Sequence, residues 1–314
     1  MWRLNSTAWI GICLILCAVV LIHRAVNLRA YCETRGHRNA IQMPKTPQIA
    51  EKLRKLNTAA KNEDSERTYR ILCWILTDPD DLDNRTIHVK NTWTQKCDIR
   101  LFMSSAENKT FPTIGLNVSS GKKHIAAKSK AAWTYIYNNF ADKADYFMKA
   151  DPDTYVIVDN LRYYLSHHDP TVAEYFGHSM KLKQHNFTFM SGGSGLVISR
   201  EALRLLVTNA FPLRPTCIPD GVGEDWKTAQ CLSKVGAKAV NTSDEFGRER
   251  FLLYRPEIHI LGLYPPWFYE KDQNNARRGI NCCSDFPIAF HYIRPLEMYV
   301  FDYLLNRVQV MKTN

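Results

Sequence analysis

Asp145-Tyr-Phe-Met-Lys-Ala-Asp151-Pro152-Asp153-Thr154-Tyr155 is an apolar run that ends in two carboxylates one residue apart. The run has the length of a strand, and in open α/β sheets ligands gather beyond the carboxyl ends of strands. Hard divalent cations such as Mg²⁺ and Mn²⁺ take oxygen-rich octahedral ligation and share it with diphosphate oxygens. One carboxylate can hold such a metal directly and the other through water. The metal then neutralises charge on a departing nucleotide diphosphate. A second copy of the pattern, Asp78-Pro79-Asp80, also follows an apolar run. It reads either as a solvated turn or as a border of a nucleotide base.

Working outward, Ile71-Leu-Cys-Trp-Ile-Leu76 is continuously apolar, as in a strand buried on both faces. Residues 99–103 form a second short strand, 126–140 a helix and 145–150 the strand already quoted. Apolar spacing over 156–165 is helical, and 195–199 reads as a strand leading into a helix over 200–210. A helix over 225–235, a short strand over 289–292 and a closing helix over 296–308 complete the pattern. Alternating strands and helices imply an α/β domain with a mostly parallel central sheet.

The chain has 314 residues, 45% hydrophobic and 23% charged, which is ordinary for a globular protein. Its formal net charge is +10, but the basic residues are scattered without a long run, so no nucleic acid is expected as a partner. A basic surface also suits a diphosphate-bearing donor. Residues 8–22 are an apolar run beginning near Trp9 and followed by His23, Arg24 and Arg29. Roughly 15–17 apolar residues are short for a bilayer core, yet no small-residue cleavage site follows, so an uncleaved signal-anchor is expected. The expected organisation is a cytoplasmic tail (1–7), a transmembrane anchor (8–27), a short stem (28–66) and a catalytic domain (67–314). Sequons at Asn84, Asn108, Asn117, Asn186 and Asn241 favour a lumenal body. Cys73, Cys97, Cys217, Cys231, Cys282 and Cys283 form an even set, as in a disulfide framework of an oxidising compartment.

The stretch from Lys149 to Arg162, Lys-Ala-Asp-Pro-Asp-Thr-Tyr-Val-Ile-Val-Asp-Asn-Leu-Arg, resembles the metal-binding segment of core 1 β-1,3-galactosyltransferases (T-synthases), a branch of the β-3-glycosyltransferases. Four further segments agree in order and spacing. They are Arg70-Ile-Leu-Cys-Trp74, Leu101-Phe-Met-Ser-Ser-Ala-Glu-Asn108, Met190-Ser-Gly-Gly-Ser-Gly195, and Cys282-Cys-Ser-Asp285 with Phe290-His-Tyr292. The likeness covers roughly residues 66–305. It implies a GT-A (Rossmann-like) fold, Mn²⁺ as cofactor, UDP-galactose as donor and O-linked GalNAc glycoproteins as acceptors. It also implies a homodimer held in the Golgi membrane as a single-pass type II protein.

By position, the resemblance makes Asp153 the direct metal ligand with Asp151 beside it, and His291 a further ligand. Asp225, in Glu224-Asp225 at a helix start, becomes the general base, although acidic residues also favour helix N-termini for dipole reasons alone. It would take a proton from the acceptor's 3-hydroxyl in a single inverting displacement. Gly192 and Gly193 fall against the donor sugar, and Thr77 and Lys128 near the nucleotide. Trp267 and Tyr269, beside Pro265-Pro266, form a candidate acceptor wall; without the resemblance such aromatics read more readily as core. Two departures stand out. Relatives generally carry an acid where this chain has Pro152, and more aromatics where it has Glu270-Lys-Asp-Gln-Asn274. A non-catalytic lumenal chaperone, or a β-3-glycosyltransferase with another acceptor, are the competing readings.

Overall fold

A computed structural model describes residues 68–182, 187–213, 217–309 and 311. The expected cytoplasmic tail, anchor and stem, and Asn186, lie outside the described residues. Among the described residues no helix is long and apolar enough to cross a membrane.

Seven strands form the central sheet in the order β3-β2-β1-β4-β7-β6-β8. They are β1 (Ile71–Leu76), β2 (Ile99–Ser104), β3 (Thr113–Gly115), β4 (Tyr146–Ala150), β6 (Glu174–Leu182), β7 (Phe187–Ser199) and β8 (Lys238–Ala239). The pairings β1–β2, β1–β4, β2–β3 and β6–β8 are parallel, and β7 alone runs against its neighbours. The sheet is therefore mostly parallel, as the alternating pattern required. Every residue of β1 and β4 is buried, because both faces are covered. One core cluster packs Trp74, Trp133 and Phe147 on one side of the sheet; the other packs Ile75, Met148 and Trp93.

The helices are α1 (Ile87–Asn91), α2 (Ile125–Phe140), α3 (Val158–Ser166), α4 (Arg200–Leu205), α5 (Glu224–Lys234), α6 (Pro256–Leu261), α7 (Pro266–Lys271) and α8 (Pro295–Asn306); α2, α3, α4, α5 and α8 lie close to where the apolar spacing puts them, and the short α1, α6 and α7 are additional. A second, three-stranded sheet joins β5 (Tyr155–Val156), β10 (Ala289–Phe290) and β9 (Phe251–Leu252). This sheet corrects the reading of 156–165 as one helix: Tyr155 and Val156 pair with β10 before the helix begins. The long strands β6 and β7 exceed the expectation, which covers only 195–199. Their polar and glycine residues hide the alternation, and the longest apolar run in β7 is 196–198.

All six cysteines of the folded part are paired, as Cys73–Cys97, Cys217–Cys231 and the adjacent Cys282–Cys283. Asn84, Asn108, Asn117 and Asn241 are exposed.

Candidate active site

Parallel pairing of β1 with β4, in the register Ile75↔Ala150, brings their carboxyl ends side by side. Thr77 and Asp78 therefore leave β1 next to Asp151 and Asp153 leaving β4. The small sheet supplies the third element. Phe290 pairs with Tyr155, the His291 amide donates to Leu252 O at 3.0 Å, and the Ile293 amide donates to Asp153 O at 2.9 Å. His291 is thus fixed against the acid pair, though 138 residues separate it from Asp153 (291 − 153).

His291 Nε2 lies 3.2 Å from Asp153 Oδ1 and 3.9 Å from Asp151 Oδ2. One ligand atom from each of the three residues falls within 4.8 Å of the others. The same nitrogen faces both carboxylates, so the three groups converge on one point, and two carboxylates with an imidazole suit Mn²⁺ or Mg²⁺. Gly193 makes the approach possible: a Cβ there would sit 2.3 Å from the His291 ring. Burial raises the Asp153 carboxyl pKa, but His291 and then Arg85 outweigh it and hold the group below its usual range. Arg85 Nη2 bonds Asp153 Oδ2 at 2.7 Å.

Asp151, Asp153, His291 and Arg85 line one cleft of about 570 Å³, together with Thr77, Asp78, Asp80, Lys122, Lys128 and Tyr292. That volume suits a nucleotide-sized ligand. Lys128 is buried, donates to Thr77 O at 3.3 Å and pairs with Asp78 at 2.5 Å. The Asp78-Pro79-Asp80 copy accordingly borders the same cleft, and Pro79 opens a helical turn there.

Asp225 sits in the first turn of α5. Its Oδ2 accepts the Gly192 amide at 3.2 Å and its Oδ1 the Trp226 amide at 2.8 Å. Gly192 to Gly195 belong to β7 itself. They bulge out within β7, where the pairing jumps from Ser191↔His178 to Leu196↔Gly177. A Cβ at Gly192 would meet Glu224 Oε1 at 2.6 Å, so the glycine lets β7 and α5 approach closely.

Trp267 and Tyr269 are 42% and 49% exposed on α7, whereas Phe268 between them is buried. Tyr254 lies 6.4 Å from Trp267 and stacks on Tyr292, which in turn stacks on His291 at 3.9 Å. An aromatic surface thus runs from α7 to the acid–histidine cluster. Tyr292 holds φ 59°, a costly conformation for a non-glycine residue that clusters at functional sites.

The Fringe-like family profile matches residues 81–258, more than half of the chain. The chain belongs to the Fringe-like family. Among relatives of this Fringe-like protein, the Xenopus laevis glycoprotein-N-acetylgalactosamine 3-beta-galactosyltransferase 1 is 37% identical over 254 residues, covering 79% of this chain and 69% of that protein. The resemblance to core 1 β-1,3-galactosyltransferases is thereby borne out. Human beta-1,3-glucosyltransferase is 25% identical over 207 residues, with 60% of this chain and 41% of that protein covered. A solved glycosyltransferase involved in glycosylation of the PBCV-1 major capsid aligns at 12% identity and a TM-score of 0.38, over 75% of this chain and 99% of that one.

Sequence reasoning missed Arg85, Lys149 and Tyr292 as site residues. Lys149 left a signal: a lysine inside a fully buried strand needs a buried partner. Arg85 left none, because only the fold brings it to Asp153.

Proposed function

We propose that this chain is an inverting, Mn²⁺-dependent glycosyltransferase of GT-A type that moves galactose from UDP-galactose to the 3-hydroxyl of O-linked GalNAc on glycoproteins. The observation that carries this reading is the convergence of Asp151, Asp153 and His291 in a nucleotide-sized cleft, with Asp225 oriented by the Gly192 amide of β7. The name of the Xenopus relative supports the choice of sugar and acceptor.

Asp151, Asp153 and His291 would hold the metal. When bound, the metal supplies Lewis-acid neutralisation of the leaving diphosphate. Lys128 and Thr77 would flank the nucleotide, and Gly192 and Gly193 would admit the donor sugar against the backbone. Asp225 would accept the proton of the acceptor hydroxyl as it attacks. Its two amide bonds hold the carboxylate in one orientation. Trp267, Tyr269 and Tyr292 would receive the acceptor sugar on their exposed faces. Pro152 removes an acid between Asp151 and Asp153 yet leaves the outer pair converged with His291, which favours an enzyme over a non-catalytic chaperone.

We further propose a homodimer in the Golgi membrane, anchored as a type II protein with this domain lumenal. Three disulfides and four exposed sequon asparagines support the lumenal side.

The test is transfer by the purified chain from UDP-galactose to a GalNAc-threonine peptide, with and without Mn²⁺. A metal-dependent β-1,3 product is expected. No product from protein that binds UDP and Mn²⁺ would overturn the choice of sugar or acceptor, and no binding of either would overturn the catalytic reading.

A further inference from the structure

Lys149 ends its side chain in the interior, 1% exposed, one residue before the carboxyl end of β4. Its ammonium has three N–H donors and three acceptors within reach. Nζ lies 2.7 Å from Asp151 Oδ1, 2.7 Å from Glu224 Oε1 and 3.4 Å from Gly192 O. Glu224 is also buried, and its other oxygen accepts from Ser129 Oγ of α2 at 3.3 Å. Neither Lys149 nor Glu224 lines the cleft. Gly192 completes the linkage, with its carbonyl toward Lys149 and its amide on Asp225.

We infer that Lys149 and Glu224 are positioning residues, tying the first carboxylate of the acid pair to the start of the helix that carries Asp225. The inference rests on the proposed reaction, which needs the metal side and the acceptor side of the site at a fixed separation. β4 and α5 reach the site from chain positions about 75 residues apart (224 − 149), so no local geometry sets that separation. A buried ion pair does, because its partners cannot drift apart without stranding a charge in the interior. Sharing one ammonium between two carboxylates has a second effect. Glu224 draws part of the lysine's hydrogen bonding away from Asp151 and leaves that carboxylate able to ligate a cation.

The pair can be tested on metal binding itself. Mn²⁺ affinity is measured by calorimetric titration on the full chain as wild type, Glu224→Gln, Lys149→Met and the double variant. With Glu224 neutral, Lys149 settles on Asp151, and Mn²⁺ binding weakens about ten-fold. In the Lys149→Met background the same change alters affinity by less than two-fold. An equal loss in both backgrounds would reveal a plain long-range charge effect and overturn the inference. The double variant removes both charges together and keeps the fold testable if either single variant is unstable. Where the wild type transfers galactose, Glu224→Gln, which keeps an acceptor for Lys149, retains more kcat than Glu224→Leu. The acceptor KM stays within about two-fold in both variants. Equal kcat in the two variants would count against positioning. A wild type that binds Mn²⁺ but transfers nothing sinks the proposed reaction while the affinity cycle still decides the coupling.

Discussion

Two histidines of this protein each sit between two carboxylates, and the two clusters behave as opposites. His291 turns one nitrogen, Nε2, toward both Asp151 and Asp153. His178 spreads its contacts: Nδ1 lies 3.5 Å from Glu249 and donates to Phe251 O, while Nε2 lies 2.9 Å from Asp272. The first cluster converges on a point at the edge of an open cleft. The second surrounds a cavity of about 10 Å³, room for one water at most. Burial lowers the His178 pKa, but Glu249 and Asp272 outweigh it and push the imidazole up to about 10. His178 is therefore a fixed cation. It stacks on Phe268 and holds Asp272, the residue that ends α7. The same residue types make a candidate cation site where they converge with space between them, and a structural clamp where they diverge without it.

The largest effect expected from breaking this contrast lies at the open cluster. Asp153→Ala or His291→Ala lowers transfer by about 10³-fold or more, and Asp225→Asn does so to a similar degree, with near-native melting temperatures in metal-free buffer. A loss of transfer only in proportion to a loss of folded protein would remove the distinction between the clusters. At the sealed cluster the currency is stability. His178→Ala strands two buried carboxylates and costs about 3–5 kcal/mol in denaturant unfolding, while Mn²⁺ affinity of the folded fraction stays within about two-fold. Gly193→Ala sharpens the contrast from the side. Its new Cβ would press on the His291 ring, and Mn²⁺ affinity falls about 10–100-fold with a smaller loss of stability.

The smallest expected effect is the pH dependence of the clamp. Because the folded pKa of His178 lies above the usual 6.5, its stabilisation is complete below about pH 6.5 and is lost as pH rises toward 10. Thermal melts of the wild type fall across that window, and the slope flattens in His178→Phe. Parallel slopes for the two proteins would place the titrating group elsewhere.

The open cluster was legible in the sequence and the sealed one was not. Asp151 and Asp153 end an apolar run, a local pattern, and β1 is plain because all six of its residues are apolar. His291 required the likeness to a family, since nothing adjacent marks it. The clamp draws His178 from the middle of β6, Glu249 from a loop before β9 and Asp272 from the end of α7. Asp272 even sits in the segment that reads only as a departure from the family's aromatics. Lys149 lies between these cases: its oddity in a buried strand is local, but its partner Glu224 is supplied by the fold. Arg85 and the β7 bulge follow the same rule, because the register that creates them is set by tertiary packing.

The small sheet gives the site an order of assembly on the ribosome. β1 and β4 leave the exit tunnel early, with the acid pair at their ends, but β10 follows β5 by more than 130 residues (289 − 156 = 133). A nascent chain thus carries both carboxylates through 138 further residues (291 − 153) before the imidazole that faces them is made. A cation site built from all three groups is complete only once translation has passed His291, well after both carboxylates have been made.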